Sequence, residues 1–197
     1  MTERGAPVTV NPMSDMVNKS SFDAARLRSL ADIAIFAALV VIGAKLSFSF
    51  PFTPVPVTAQ VLFVLLAGLV LGARKGFLAL LVYLVLGAAG LPVFSKGGGL
   101  AYLMGPTGGF LLSFPLAAAA AGAVYRRFGK TVLGAALGCL AGLVLIYVFG
   151  ALQLAIVMKK GFYAALTLAV FPFVLADLFK AALAVAAARI LGVRESF

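Results

Sequence analysis

Asp177 and Lys180 stand three residues apart in VFPFVLADLFKAALAVAAARI, residues 170–190, where almost every neighbour is apolar. Positions i and i+3 share a helix face, so the two charges meet. An ionised side chain at the centre of a membrane span costs about 2.5–3.5 kcal/mol on insertion scales. Mutual neutralisation is one account of the pair. Two apolar residues would achieve neutrality at lower cost, and ionisable groups inside a membrane are functional by default. A carboxylate accepts hydrogen bonds and an ammonium donates them. Together they suit a small organic solute whose polar head carries N–H donors beside a carbonyl oxygen, as a cyclic urea does.

The surrounding chain must supply a membrane. Of 197 residues, 63% are hydrophobic and only 11% charged, and the mean hydropathy is +1.15. Soluble domains run nearer half apolar and a quarter charged. A protein of this size cannot hide such an excess in its core, because small domains leave much of their surface outside. The composition therefore implies one integral membrane domain with lipid as its solvent. The net charge is +10, which raises nucleic acid as a partner. No basic-aromatic patch accompanies it, so the charge reads as Lys and Arg flanking membrane spans. With no His and one Cys, no metal site, cofactor or disulfide is expected. Six acids leave too few groups for a membrane-embedded enzyme, and no catalytic residue is assigned.

Residues 1–25 are polar and read as a disordered cytoplasmic tail, followed by a six-helix transmembrane domain over 26–197. The expected spans are 30–48, 58–73, 76–91, 106–126, 131–158 and 171–191. At about 1.5 Å per residue the second and third reach only about 24 Å, against a hydrocarbon core of about 30 Å. Beside them lie SFPFTPVPV and LPVFSKGGGLAYLMG, rich in Gly or Pro yet apolar. Irregular backbone survives at membrane depth only when buried in protein or lining a cavity, so these loops point to a binding site. Pro172 breaks what would otherwise be an overlong helix across 161–191. A short helix or hairpin at 161–170 is expected, with Asp177 near the outer end of the last span.

With the N-terminus inside, inner segments carry Arg4, Lys19, Arg26, Arg28, Arg74, Lys75, Arg126, Arg127, Lys130, Arg189 and Arg194. Outer segments carry Lys45, Lys96, Lys159 and Lys160. This bias places both termini in the cytoplasm. Both irregular loops and Asp177 then face outward, where a nutrient arrives. The loop side chains Phe48, Phe50, Phe52, Phe94 and Tyr102 would cover an apolar ligand body, while Lys96 or the free amides at Gly108-Gly109 would meet a carboxylate tail.

Three motifs carry less. Gly129-Lys130-Thr131 looks like the end of a phosphate-binding loop, but the pattern needs Gly where Val124 stands and a strand before it. Gly134, Gly138 and Gly142 line one helix face, which suits close helix packing. Ala34 and Ala38 form a similar small patch on the first span, read either as internal packing or as a partner-docking face.

FTPVPVTAQVLFVLLAGLVLGARKG, GAAGLPVFSKGGGLAYLMGPTGGF and FPFVLADLFKAAL, in that order over about 30–191, resemble the BioY family. These are biotin-specific substrate-binding (S) components of energy-coupling-factor (ECF) vitamin transporters. The resemblance implies an all-α, six-helix S-component bundle in the bacterial inner membrane, binding biotin from outside and delivering it to the cytoplasm. It implies that Asp177 and Lys180 contact the biotin head group. It maps the glycine-rich loop, Lys96 with Gly98 and Gly99 and on to Tyr102, onto the ligand, with Gln60 as a further pocket residue beside the Gly109 and Phe52 read from the loops above. It also implies docking through Ala34 and Ala38 on a transmembrane coupling subunit driven by two ATPases, although some members work without dedicated partners and self-association is then open. The sequence departs from relatives in two places. Leu175-Ala176-Asp177 replaces a frequent Pro-Gly-Asp, and Gly98 stands where some relatives carry Asn. The alternative function is an ion-coupled or facilitated carrier of another vitamin-like solute.

Overall fold

The computed structural model describes residues 12–51 and 53–193. In chain order they form α1 (Pro12–Lys45), β1 (Ser47–Phe48), β2 (Val57–Thr58), α2 (Gln60–Ala88), α3 (Leu100–Leu103), α4 (Gly108–Arg127), α5 (Val132–Val157), α6 (Phe162–Ala169) and α7 (Val174–Val193). The fold is helical apart from β1 and β2, which pair antiparallel with Ser47 opposite Thr58 and Phe48 opposite Val57. The first helix starts well inside the stretch expected as a tail. Pro12 suits a first helical position, and no later Pro and no Gly before Gly43 interrupts the run. Residues 1–11 of that expected tail lie outside the described residues.

By length and composition, four helices can cross a membrane, or five if the α6–α7 pair, bent by 60°, counts as one span. Helix α2 is not a straight rod. Gly72 has φ 77° and ψ 176°, a conformation nearly exclusive to glycine. The chain reverses there. Gln60 reaches Tyr83 across the turn, Nε2 donating to the hydroxyl oxygen at 2.6 Å. A Cβ at Gly76 would lie 3.2 Å from the Ala67 oxygen. The spans expected at 58–73 and 76–91 are thus the two arms of a helical hairpin. The expected break before the last span is also present, with α6 ending at Ala169 and α7 beginning at Val174.

Helix α2 is the hub, packing on α1, α4 and α7, while α5 joins α4 to α6 and α7. Small residues permit these approaches. A Cβ at Gly138 would sit 2.6 Å from the Ala121 oxygen, and one at Gly142 2.7 Å from Leu65 Cδ2. The α5 glycine face therefore packs inside the bundle. Gly129 and Lys130 take positive φ (66° and 58°), and Thr131 then caps α5, accepting from the Gly134 amide at 3.0 Å. That local turn chemistry explains Gly129-Lys130-Thr131. Outward, large apolar side chains such as Leu175, Ile156 and Ile190 are 69–81% exposed, as a lipid-facing surface requires.

Candidate functional site

The break before α7 places Asp177 in that helix's first turn. A carboxylate there is favoured by the positive end of the helix dipole. Lys180, one turn on, donates from Nζ to Asp177 Oδ1 at 2.7 Å. The second carboxylate oxygen, Oδ2, accepts from the Tyr147 hydroxyl of α5 at 2.8 Å. The side chains of Lys180 and Asp177 are only 15% and 6% exposed. The pair is thus buried, oriented and electrically balanced, with both carboxylate oxygens engaged.

It forms the floor of a cavity holding about 570 Å³ of atom-free space, partly open to solvent. Phe110, Leu111 and Phe114 of α4 give it an apolar wall, and the hairpin segment 55–58 contributes to its cover. Tyr102 of α3 and Ser95 of the preceding loop line it as well, joined through their hydroxyls at 2.8 Å. Gln60 completes the polar set from the start of α2. One acid, one base, an amide and several hydroxyls in an apolar hollow can orient an organic solute with a polar head and an apolar body.

Of the residues singled out in the sequence, Asp177, Lys180, Gln60 and Tyr102 line this cavity together. Lys96 is exposed on the loop and is not among the lining residues. Gly98 and Gly99 also lie off the lining. A Cβ at Gly98 would strike the Leu91 oxygen. Gly99, at φ 96°, begins α3 and donates its amide to the Gly87 oxygen at 2.7 Å. Both glycines thus shape the loop. Gly109 packs on α5, where a Cβ would strike the Phe149 oxygen. Phe52 lies outside the described residues. Ala34 and Ala38 are exposed on α1, whereas Ala37 and Val40 face the core.

Sequence reasoning missed Tyr147. Its signal was a lone hydroxyl in the apolar run GLVLIYVFGAL, because a buried Tyr hydroxyl finds a partner. Tyr147→Phe removes a hydrogen bond to a buried charge and is expected to destabilise the fold by about 1.5–3 kcal/mol. Chemical denaturation in detergent checks this. Unchanged stability would mean that the bond contributes nothing.

Comparison with known proteins bears on this architecture. Residues 13–195 match the model of the BioY family. The chain is 45% identical over 161 residues to a probable biotin transporter BioY of Pyrococcus horikoshii, covering 81% of this chain and 93% of that one. It is 41% identical over 160 residues to the biotin transporter BioY of Thermotoga maritima, covering 78% and 89%. Its fold superposes on the crystal structure of the S-component for biotin from an ECF-type ABC transporter with a TM-score of 0.80 and 25% identity, covering 85% of this chain and 92% of that one. The S component of another bacterial ECF transporter shares the fold more loosely, with a TM-score of 0.54 at 18% identity and coverage of 87% and 96%. A match across nearly the whole sequence, and a helical bundle that agrees with it, place this chain in the BioY family.

Proposed function

We propose that this protein is the biotin-binding membrane component of a biotin uptake transporter. The observation that carries the reading is the balanced Asp177–Lys180 pair, oriented by Tyr147 at the floor of a covered cavity. A ureido ring offers N–H groups to the carboxylate and a carbonyl oxygen to the ammonium, and the α4 aromatic wall suits its apolar body. Gln60 and Tyr102 are further contacts. The loop bearing Lys96, Gly98 and Gly99 helps to cover the site.

In this reading the two arms of α2 cross separately and α6–α7 form the last, broken crossing, giving six. Both termini lie in the cytoplasm of a bacterial inner-membrane protein, as the distribution of Lys and Arg supports. The cavity loads from outside and releases inward when a coupling subunit with two ATPases engages the protein. The exposed Ala34 and Ala38 of α1 let a partner helix approach closely.

Calorimetry of the purified protein and uptake by whole cells test the reading together. Saturable binding of one biotin per chain is expected. Ala34→Trp/Ala38→Trp should keep that binding while uptake falls at least about fivefold, since overpacking of about 1–3 kcal/mol at an interface weakens docking to that degree. Absence of biotin binding defeats the proposal. Normal uptake in the double variant moves docking to another face.

A further inference from the structure

We propose that an open hollow beside the main cavity seats the ligand's carboxylate, with Lys45 as its cation; this rests on the biotin reading. The hollow is lined by Lys45, Ser47, Thr58 and Lys180 together with the apolar Leu46, Phe48, Val57 and Ala59. It shares Val57, Thr58 and Lys180 with the main cavity. In this proposal a solute whose ring meets Asp177 extends its tail past Lys180 into the hollow.

Charge decides where that tail ends. Among the described residues lining the main cavity the only cation is Lys180, already balanced by Asp177 at 2.7 Å. A ligand carboxylate there would add a net negative charge in a low-dielectric setting, which is unfavourable without a partner. The hollow differs, because no acid is among its described lining residues. Lys45 donates to the Pro92 oxygen at 2.6 Å and to the Phe94 oxygen at 3.0 Å. Carbonyls hold an ammonium in place but neutralise no charge. Among the described residues Lys45 makes no ion pair, and an ammonium has a third N–H to give. It is a positioned cation with an unused donor, on a residue that lines the open hollow. Because the two carbonyls already restrict the side chain, little further rotamer freedom is lost when an anion arrives. Lys96, exposed on its loop, lines neither space.

The class of ligand follows: an uncharged polar ring carrying a monocarboxylate on a flexible apolar tail. Calorimetry with biotin and with biotin amide, on the wild type, Lys45→Met and Lys45→Arg, tests the assignment. The wild type should prefer the acid to the amide. Lys45→Met should weaken biotin about tenfold, the scale of one hydrogen bond to a charged group, and leave the amide unaffected. Lys45→Arg should retain most of the preference. Equal weakening of both ligands would make Lys45 a mere brace for the 92–94 segment and overturn the proposal. So would an acid-to-amide ratio untouched by Lys45→Met, the result expected if a phospholipid phosphate occupies the hollow. Should Lys45→Met fail to fold, raising salt on the wild type decides the same question. Screening at an open site weakens biotin relative to the amide, and an unchanged ratio overturns the subsite. Wild-type protein that binds neither ligand sinks the biotin reading and the subsite with it. Biotin binding with no acid–amide difference sinks the subsite alone.

Discussion

In Asp177→Asn protein, biotin affinity is expected to fall by at least about a hundredfold. A hydrogen bond to a charged group contributes about 1.5–3 kcal/mol, two ureido N–H groups lose their charged acceptor, and every ~1.4 kcal/mol is tenfold in affinity. The substitution keeps size and shape but removes the anion that accepts from both Lys180 and Tyr147. Asparagine offers one carbonyl oxygen where the carboxylate offered two, and it turns a donor toward the Tyr147 hydroxyl. Lys180 is left as an unbalanced charge with its side chain only 15% exposed. The single variant should therefore lose stability as well as binding, and the double variant Asp177→Asn/Lys180→Met separates these effects. With both charges gone the burial penalty disappears, so thermal stability should recover toward the wild type. Binding should not recover, because neither hydrogen-bonding partner for a ureido ring remains. Calorimetry and thermal unfolding on the same preparations give both readouts. Affinity within about threefold of wild type (well under 1 kcal/mol) in Asp177→Asn would remove the pair from the binding site.

Much of this arrangement was legible in the residues alone, for physical reasons. Opposite charges at i and i+3 in an apolar helix are conspicuous, because lipid makes each one expensive. Pro172 marks the break before α7 because proline cannot donate within a helix. The two short arms of α2 were legible as short spans, although the device that reverses them, Gly72 at φ 77°, is a backbone property that residue identity does not reveal. Tyr147 escaped because nothing in a single sequence says that α5 packs against α7. Lys45 was counted only as an outer charge. Its carbonyl partners lie 47 and 49 residues away, a separation no local pattern spans. The helical start at Pro12 was masked by polar composition, which describes solvent preference and not backbone propensity. Lys96 is exposed and off the cavity lining, because loop position alone does not fix where a long side chain lies.

Gly122→Val is expected to prevent accumulation of folded protein, and Gly72→Ala to destabilise it by about 1–3 kcal/mol. The two act on one feature, the reversal in α2. A Cβ at Gly122 on α4 would lie 2.5 Å from the Ala73 nitrogen, 2.5 Å from the Gly68 oxygen and 2.7 Å from the Gly72 carbonyl carbon. All three are backbone atoms on either side of the turn, so no side chain can swing away to relieve the clash. Overpacking of this kind costs about 1–3 kcal/mol for added methylenes, and more where the backbone itself must move. A Cβ at Gly72 meets nothing within 4 Å, so its penalty is purely conformational. That makes the sign of Gly72→Ala decisive. In a continuous helix, alanine in place of an interior glycine stabilises by about 0.5–1 kcal/mol. At the reversal it must destabilise, because φ 77° with ψ 176° suits no side chain. The yield of folded Gly122→Val protein and the unfolding of Gly72→Ala in detergent, each beside the wild type, read the two effects, and a wild-type yield of Gly122→Val would refute the close approach of α4 to the turn. A stabilised Gly72→Ala protein would mean that α2 runs straight. Gln60 and Tyr83, 23 residues apart in sequence, could then no longer meet, and Gln60 would be removed from the cavity beside Asp177.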